Sequence, residues 1–122
     1  VSMPTYLLTH WARDRAKRFG PEGVLPLEHM VRRQTSDTAK VYGLNDRGLI
    51  KPGYKADLNI IDHDNLKLLP PRVAFDLPAK GRRMIQDAQG YLATIVSGEI
   101  VRENGVSTDA TPGRLIRGPQ QV

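Results

Sequence analysis

Between Pro4 and Gly20 the apolar residues Leu7, Leu8, Trp11, Ala12 and Phe19 recur at helical spacing. That period predicts an amphipathic helix, with Pro4 tolerated in its first turn and Gly20-Pro21 ending it. A second helical face starts near Pro26, where Leu27, Met30, Val31 and Gln34 align and Glu28 complements the positive end of the helix dipole. Thr35 and Ser36 offer an N-cap to a short third helix through Tyr42, closed by Gly43 at a position that favours left-handed backbone. The first 43 residues therefore read as helical.

At Gly48 the period changes. In RGLIKPGYKADLNIID (47–62), Pro52-Gly53 suits the two central positions of a type II turn, and residues 56–62 read as a strand closed by Asp62-His63-Asp64-Asn65. Prolines 70, 71 and 78 predict an irregular stretch over 66–81. A strand over 83–88 follows, then one over 92–97, a two-residue turn at Gly98-Glu99, a returning strand over 100–103 and a hairpin signal at Asn104-Gly105. Residues 108–122, with Pro112, Gly113 and Pro119, read as an extended tail. Helices followed by strands without alternation indicate an α+β class or a domain junction. Four or five short strands make one thin sheet whose apolar face these residues do not cover, so self-association or a bound partner is expected.

Charge changes this picture little. The 122 residues carry 18 Lys and Arg against 13 Asp and Glu, a formal charge of +5. Residues 1–47 hold eight basic and five acidic side chains, 48–105 eight and seven, and 106–122 two and one. Such interspersion describes solvated faces rather than a nucleic-acid surface, and no nucleic-acid partner is expected. The longest apolar runs fall far short of the ~18–20 residues that cross a bilayer, so no membrane partner is expected either. Cysteine is absent, which removes disulfides, thiolate metal sites and thiol nucleophiles and is compatible with a cytoplasmic location. The start Val1-Ser2-Met3 suggests a segment of something longer.

Candidate chemistry is sparse. His10 and His29 fall on separate predicted helices and His63 in a polar turn, so no metal-ligand spacing arises; solvated or capping roles are the simpler reading. Asp62 to Asn65 begins like a calcium loop, but Lys67 stands where glycine is needed and Val73 where the bidentate glutamate is needed. No G-x-S-x-G, G-x-G-x-x-G or G-K-[ST] occurs. Asp57, after the Pro-Gly turn, has the chemistry of a base, yet a carboxylate there more often caps N–H groups at a strand start. The residues themselves supply no catalytic site and no metal site, and a stand-alone basic interaction module without activity is one reading they permit.

Read together, LEHMVRRQTSDTAKVYGLNDRGLIKPGYKADLNIID (27–62) and GYLATIVSGEIVRENG (90–105) resemble the C-terminal end of metal-dependent amidohydrolases. YLLTHWARDR (6–15) and LPAKGRRMIQDAQGY (77–91) bring the resemblance closest to the D-aminoacylase branch, the N-acyl-D-amino-acid deacylases. It implies the terminal helices of a (β/α)8 barrel over 1–47, part of a small β-sandwich over 48–107 and a tail over 108–122. It further implies a fragment of an amide hydrolase, inactive alone, whose zinc ligands and catalytic Asp have no matching positions here; its partner would be the missing N-terminal portion. No cofactor is expected in this chain, and zinc is expected in the complete enzyme. His10 and Arg13 would lie on a late barrel helix near the substrate, and Pro52, Gly53 and Asp57 would shape the turn into the sandwich.

Overall fold

A helical run over 3–19, interrupted by a turn at Arg15, opens the chain in the computed structural model, which describes residues 2–122. It comprises α1 (Met3–Tyr6), a π-helical stretch (Leu7–Asp14) and α2 (Ala16–Phe19). The amphipathic period is present, but the middle is wound wider than the predicted α-helix. Arg15 N–H donates to the His10 carbonyl, five residues back, at 3.1 Å. The Thr9 hydroxyl donates to the Thr5 carbonyl at 2.9 Å, a back-bond that competes with the helix ladder and bends it. Gly20, at φ 73°, ends the run.

Two short helices follow, α3 (Leu27–Gln34) and α4 (Ser36–Val41). Glu28 sits in the first turn of α3, and Arg32 and Arg33 in its last, as the helix dipole favours. Thr35 does not cap α4 with its side chain. Its hydroxyl turns back to donate to the Val31 carbonyl at 2.8 Å. Gly43 closes this region at φ 69°.

The second half contains β1 (Leu58–Ile61), β2 (Lys67–Leu68), β3 (Arg72–Leu77), β4 (Gly81–Ile85), β5 (Ala88–Gln89), β6 (Tyr91–Val96), β7 (Glu99–Glu103) and β8 (Val106–Ser107). Every pairing among them is antiparallel: a four-stranded sheet in the order β1-β6-β7-β8, and the pairs β2-β5 and β3-β4. Mixed helix and antiparallel sheet make this an α+β chain.

Three expectations need correction. The stretch 66–81 is not irregular. Pro71 and Pro78 flank β3 instead of interrupting it, so no ladder N–H is lost. The strand expected over 83–88 is two strands, β4 and β5, which pair with different partners. The β6–β7 turn is Ser97-Gly98, one residue earlier than predicted, because Val96 pairs with Glu99 and the two turn residues carry φ of 51° and 87°. Positive φ at both positions matches the type I′ turn that continues strand twist; Asn104-Gly105 does the same before β8.

The tail also has structure at its end. Gln120 N–H donates to the Gly43 carbonyl at 2.8 Å and its carbonyl accepts from Asn45 N–H at 3.1 Å. Residues 43–45 are thereby strapped by the chain end.

The core lies where the first helical run meets the turn between β1 and β2. Leu8, Met30 and Leu66 are its buried members, and Trp11, Ala12, Leu27, Ile61 and Tyr91 pack around them. Leu66 is completely inaccessible.

Candidate functional site

The best-defined polar constellation is the joint between the π-helical stretch and the turn 62–66. Asp62 accepts from Asn65 twice, from its backbone N–H at 3.2 Å and its side-chain amide at 2.8 Å, a local turn of the kind Asp-x-x-Asn favours. These bonds hold the Asp62 carboxyl below its ordinary pKa. The curled turn directs its carbonyls at the helix, where Arg13 meets them. Its guanidinium donates to the carbonyls of His63, Asp64 (3.2 Å) and Leu66 (2.8 Å) and is itself braced by Asp14 at 2.9 Å. Hydrogen bonding to Arg13 in turn pulls the Asp14 pKa down. His63 returns the contact: its Nε2–H donates to the Leu8 carbonyl at 2.9 Å, which fixes the ring as a donor at that atom. The Thr5 and Tyr91 hydroxyls, 2.8 Å apart, bond across the same boundary to β6.

Gly90 makes this joint possible. At φ 98°, a Cβ there would lie 2.6 Å from the Leu66 Cα and 2.9 Å from its nitrogen. Only a glycine lets β6 approach the turn so closely. An open cleft of about 420 Å³ lies alongside, lined by Arg13, Asp62, Asp64, Lys67, Gln89 and Gly90 among others.

A second polar knot joins the helical half to the large sheet. Arg47 donates to both oxygens of Asp46, at 2.9 and 3.0 Å, and to Asp57 at 2.9 Å. The other Asp57 oxygen accepts from Ser97 N–H at 2.8 Å, in the β6–β7 turn. Beside it, Gly98 N–H donates to the Ala56 carbonyl at 3.0 Å. Arg47 holds the Asp46 carboxyl below its usual range, and Asp46 raises Arg47 reciprocally. Pro52 and Gly53 lie just before: Tyr54 N–H donates to the Lys51 carbonyl at 3.0 Å, and Gly53 has φ 84°.

His10 stands apart from both knots. Its half-buried ring stacks on Tyr6 with centroids 4.6 Å apart and meets the edge of Trp11 at 5.6 Å. His10 and Arg13 thus lie on one helical turn, yet Arg13 faces backbone carbonyls and His10 faces aromatic rings. Among the described residues no three His, Asp or Glu side chains come together as a metal would require. The arrangement can bind and orient backbone; it assembles no nucleophile and base. The clamp by Arg13 and His63 was missed by sequence reasoning, because its partners are 50 to 55 residues away and are main-chain carbonyls. The turn signal in Asp62-His63-Asp64-Asn65 was the only trace of it.

Residues 2–102 match the model of a family described as the amidohydrolase family. The chain is similar to an N-acyl-D-aspartate deacylase of Alcaligenes xylosoxydans xylosoxydans, with 32% identity over 93 residues. That alignment covers 76% of this chain and 17% of the relative, so the chain spans about a sixth of that protein's length. No solved structure matches the chain. Among the described residues, no helix is long and apolar enough to cross a membrane.

Proposed function

The chain belongs to the amidohydrolase family, and from that premise we propose that it is the scaffold end of a hydrolase acting on carbon–nitrogen (amide) bonds, of the N-acyl-D-amino-acid deacylase kind. In this reading residues 1–47 are the last helices of a (β/α)8 barrel, 48–107 are part of a β-sandwich and 108–122 are a tail. The observation that carries it is the family match through residues 2–102 together with likeness to a deacylase of which the alignment covers 17%. The polar knots fit a supporting role, since Arg13 donates to backbone carbonyls and Asp57 accepts from the β6–β7 turn. Any metal, zinc in this reading, would be held by residues elsewhere in the polypeptide. The family match does not favour a stand-alone basic module.

Of the two helix residues expected near substrate, His10 is the better candidate, because its ring nitrogens bond no other described residue whereas Arg13 is fully engaged with carbonyls. The missing remainder of the enzyme is the partner this reading needs. The test is an assay of the whole gene product and of the 122-residue chain on N-acyl-D-amino acids, N-acyl-D-aspartate included, with zinc supplied. Amide cleavage by the whole product and none by the short chain is expected. Hydrolysis by the 122 residues alone, or a whole product inert on the entire panel, overturns it.

A further inference from the structure

Residues 42–57, between α4 and β1, form no helix or strand of their own. Connections of this length are uncommon in a compact fold, and those that occur are held by specific contacts or carry function. Here the middle is closed into a loop at its neck: Lys55 N–H donates to the Asp46 carbonyl at 2.7 Å, and the neighbouring Arg47 pairs with Asp57 at 2.9 Å. Leu49 and Ile50, within the loop, are exposed. The neck is tied to the large sheet as well, because Asp57 accepts from Ser97 N–H.

Residues 118–122 reach both sides of that loop. Gln120 bonds Gly43 and Asn45, immediately before the neck, and the approach is close enough that a Cβ on Gly43 would lie 3.1 Å from the Pro119 Cβ. Val122 lies against Gly53, within the loop itself. The span leading to these contacts is bare. Among the described residues no hydrogen bond involves 111–117, and Leu115 in its middle is 75% exposed. Segments with so few contacts open locally at low free-energy cost, so the attachment at 118–122 breaks without unfolding the sheet.

We propose that residues 118–122 are a latch on the 46–55 loop, whose release loosens the Asp46–Arg47–Asp57 knot as far as Ser97. The latch and the knot fix the same short stretch of backbone, Gly43 to Arg47. Groups that bias one element are coupled, and the coupling is reciprocal. With the latch engaged, Asn45 is pinned beside buried Asp46, and Arg47 meets Asp57 from a backbone already ordered. With it released, the ion pair alone must order that backbone, and a partly exposed pair is too weak to offset the entropy of doing so. The latch is independent of the hydrolase reading.

Amide hydrogen exchange of the whole gene product, followed by peptide mass spectrometry, tests it. Gln120→Pro removes the N–H that Gly43 accepts, while Gln120→Ala keeps both backbone groups and serves as the reference. Peptides over 46–57 and 95–99 should exchange at least ~fivefold faster in Gln120→Pro than in the reference, the scale of one lost hydrogen bond. A peptide over 60–70, which holds the carbonyls bonded by Arg13, should not change. Asp57→Asn removes the charge that Arg47 meets and leaves an acceptor for Ser97, and it should speed exchange over 43–45 in return. The double variant should fall short of the product of the two single effects, as coupled sites do. Faster exchange in Gln120→Pro that stops at 45, or that extends to 60–70, overturns the proposal. So does an Asp57→Asn protein with 43–45 unchanged, which decides the matter alone should Gln120→Pro not fold, or a double variant that shows the full product.

Discussion

Two parts of this chain use the same ingredients to opposite ends. At the joint of helix and turn, Arg13 and His63 tie backbone to backbone over a core of Leu8, Met30 and Leu66. In the β3–β4 arm, a bidentate Arg83–Asp76 pair at 2.8 and 2.6 Å lies in the open, and the apolar side chains face solvent. The contrast teaches that an ion pair fastens a fold only where burial accompanies it; an exposed pair is worth little on its own.

Replacing Leu66 by Ala gives the largest expected loss at the joint, ~2–5 kcal/mol by urea titration, because a fully buried side chain leaves a cavity between elements that cannot collapse. The equivalent arm change, Phe75→Ala in the 122-residue chain, should stay within ~0.5 kcal/mol; equal losses at both would erase the comparison. Arg13→Met is expected next, at roughly 1.5–3 kcal/mol, since charged hydrogen bonds to the carbonyls of His63, Asp64 and Leu66 vanish together. Arg13→Lys should recover only part, because a single compact ammonium replaces the two guanidinium nitrogens that reach the three carbonyls.

Acid sharpens the comparison at the second knot. Asp46 has a folded pKa below the ordinary 3.8, so its contribution to stability is complete above that value and disappears as pH falls below 3.8 through the folded value. The urea midpoint should fall over that window, and Asp46→Asn should flatten the fall. Asp76 is depressed by Arg83 in the same sense, yet it is exposed, so Asp76→Asn should leave the profile nearly unchanged. One further effect has the opposite sign. Lys80→Gly should stabilise the arm by roughly 0.5–1 kcal/mol by removing left-handed strain, read as slower amide exchange in β3 and β4.

Much of the architecture was legible locally. Leu7, Leu8, Trp11 and Ala12 announced the helix, and Asn104-Gly105 announced its turn with both φ values positive. Where the reading failed, neighbours remote in sequence had decided. Ser97 rather than Glu99 enters the β6–β7 turn because the Asp57 carboxylate takes its N–H. Arg72 to Leu77 became a strand because the prolines flank it and β4 returns to pair with it. Leu68 and Ala88 share a ladder that no local signal marks.

The sequence by itself determined the periodic elements, the turn positions that demand positive φ and the family, since each is written in neighbouring residue types and their spacing. Only the tertiary structure decided that Arg13 and His63 serve main-chain carbonyls, that Gly90 must be a glycine and that apolar side chains of the arm face solvent. Carbonyl groups occur at every residue and leave no mark in the sequence; which of them lack a partner, and which cation reaches them, is fixed when distant segments meet.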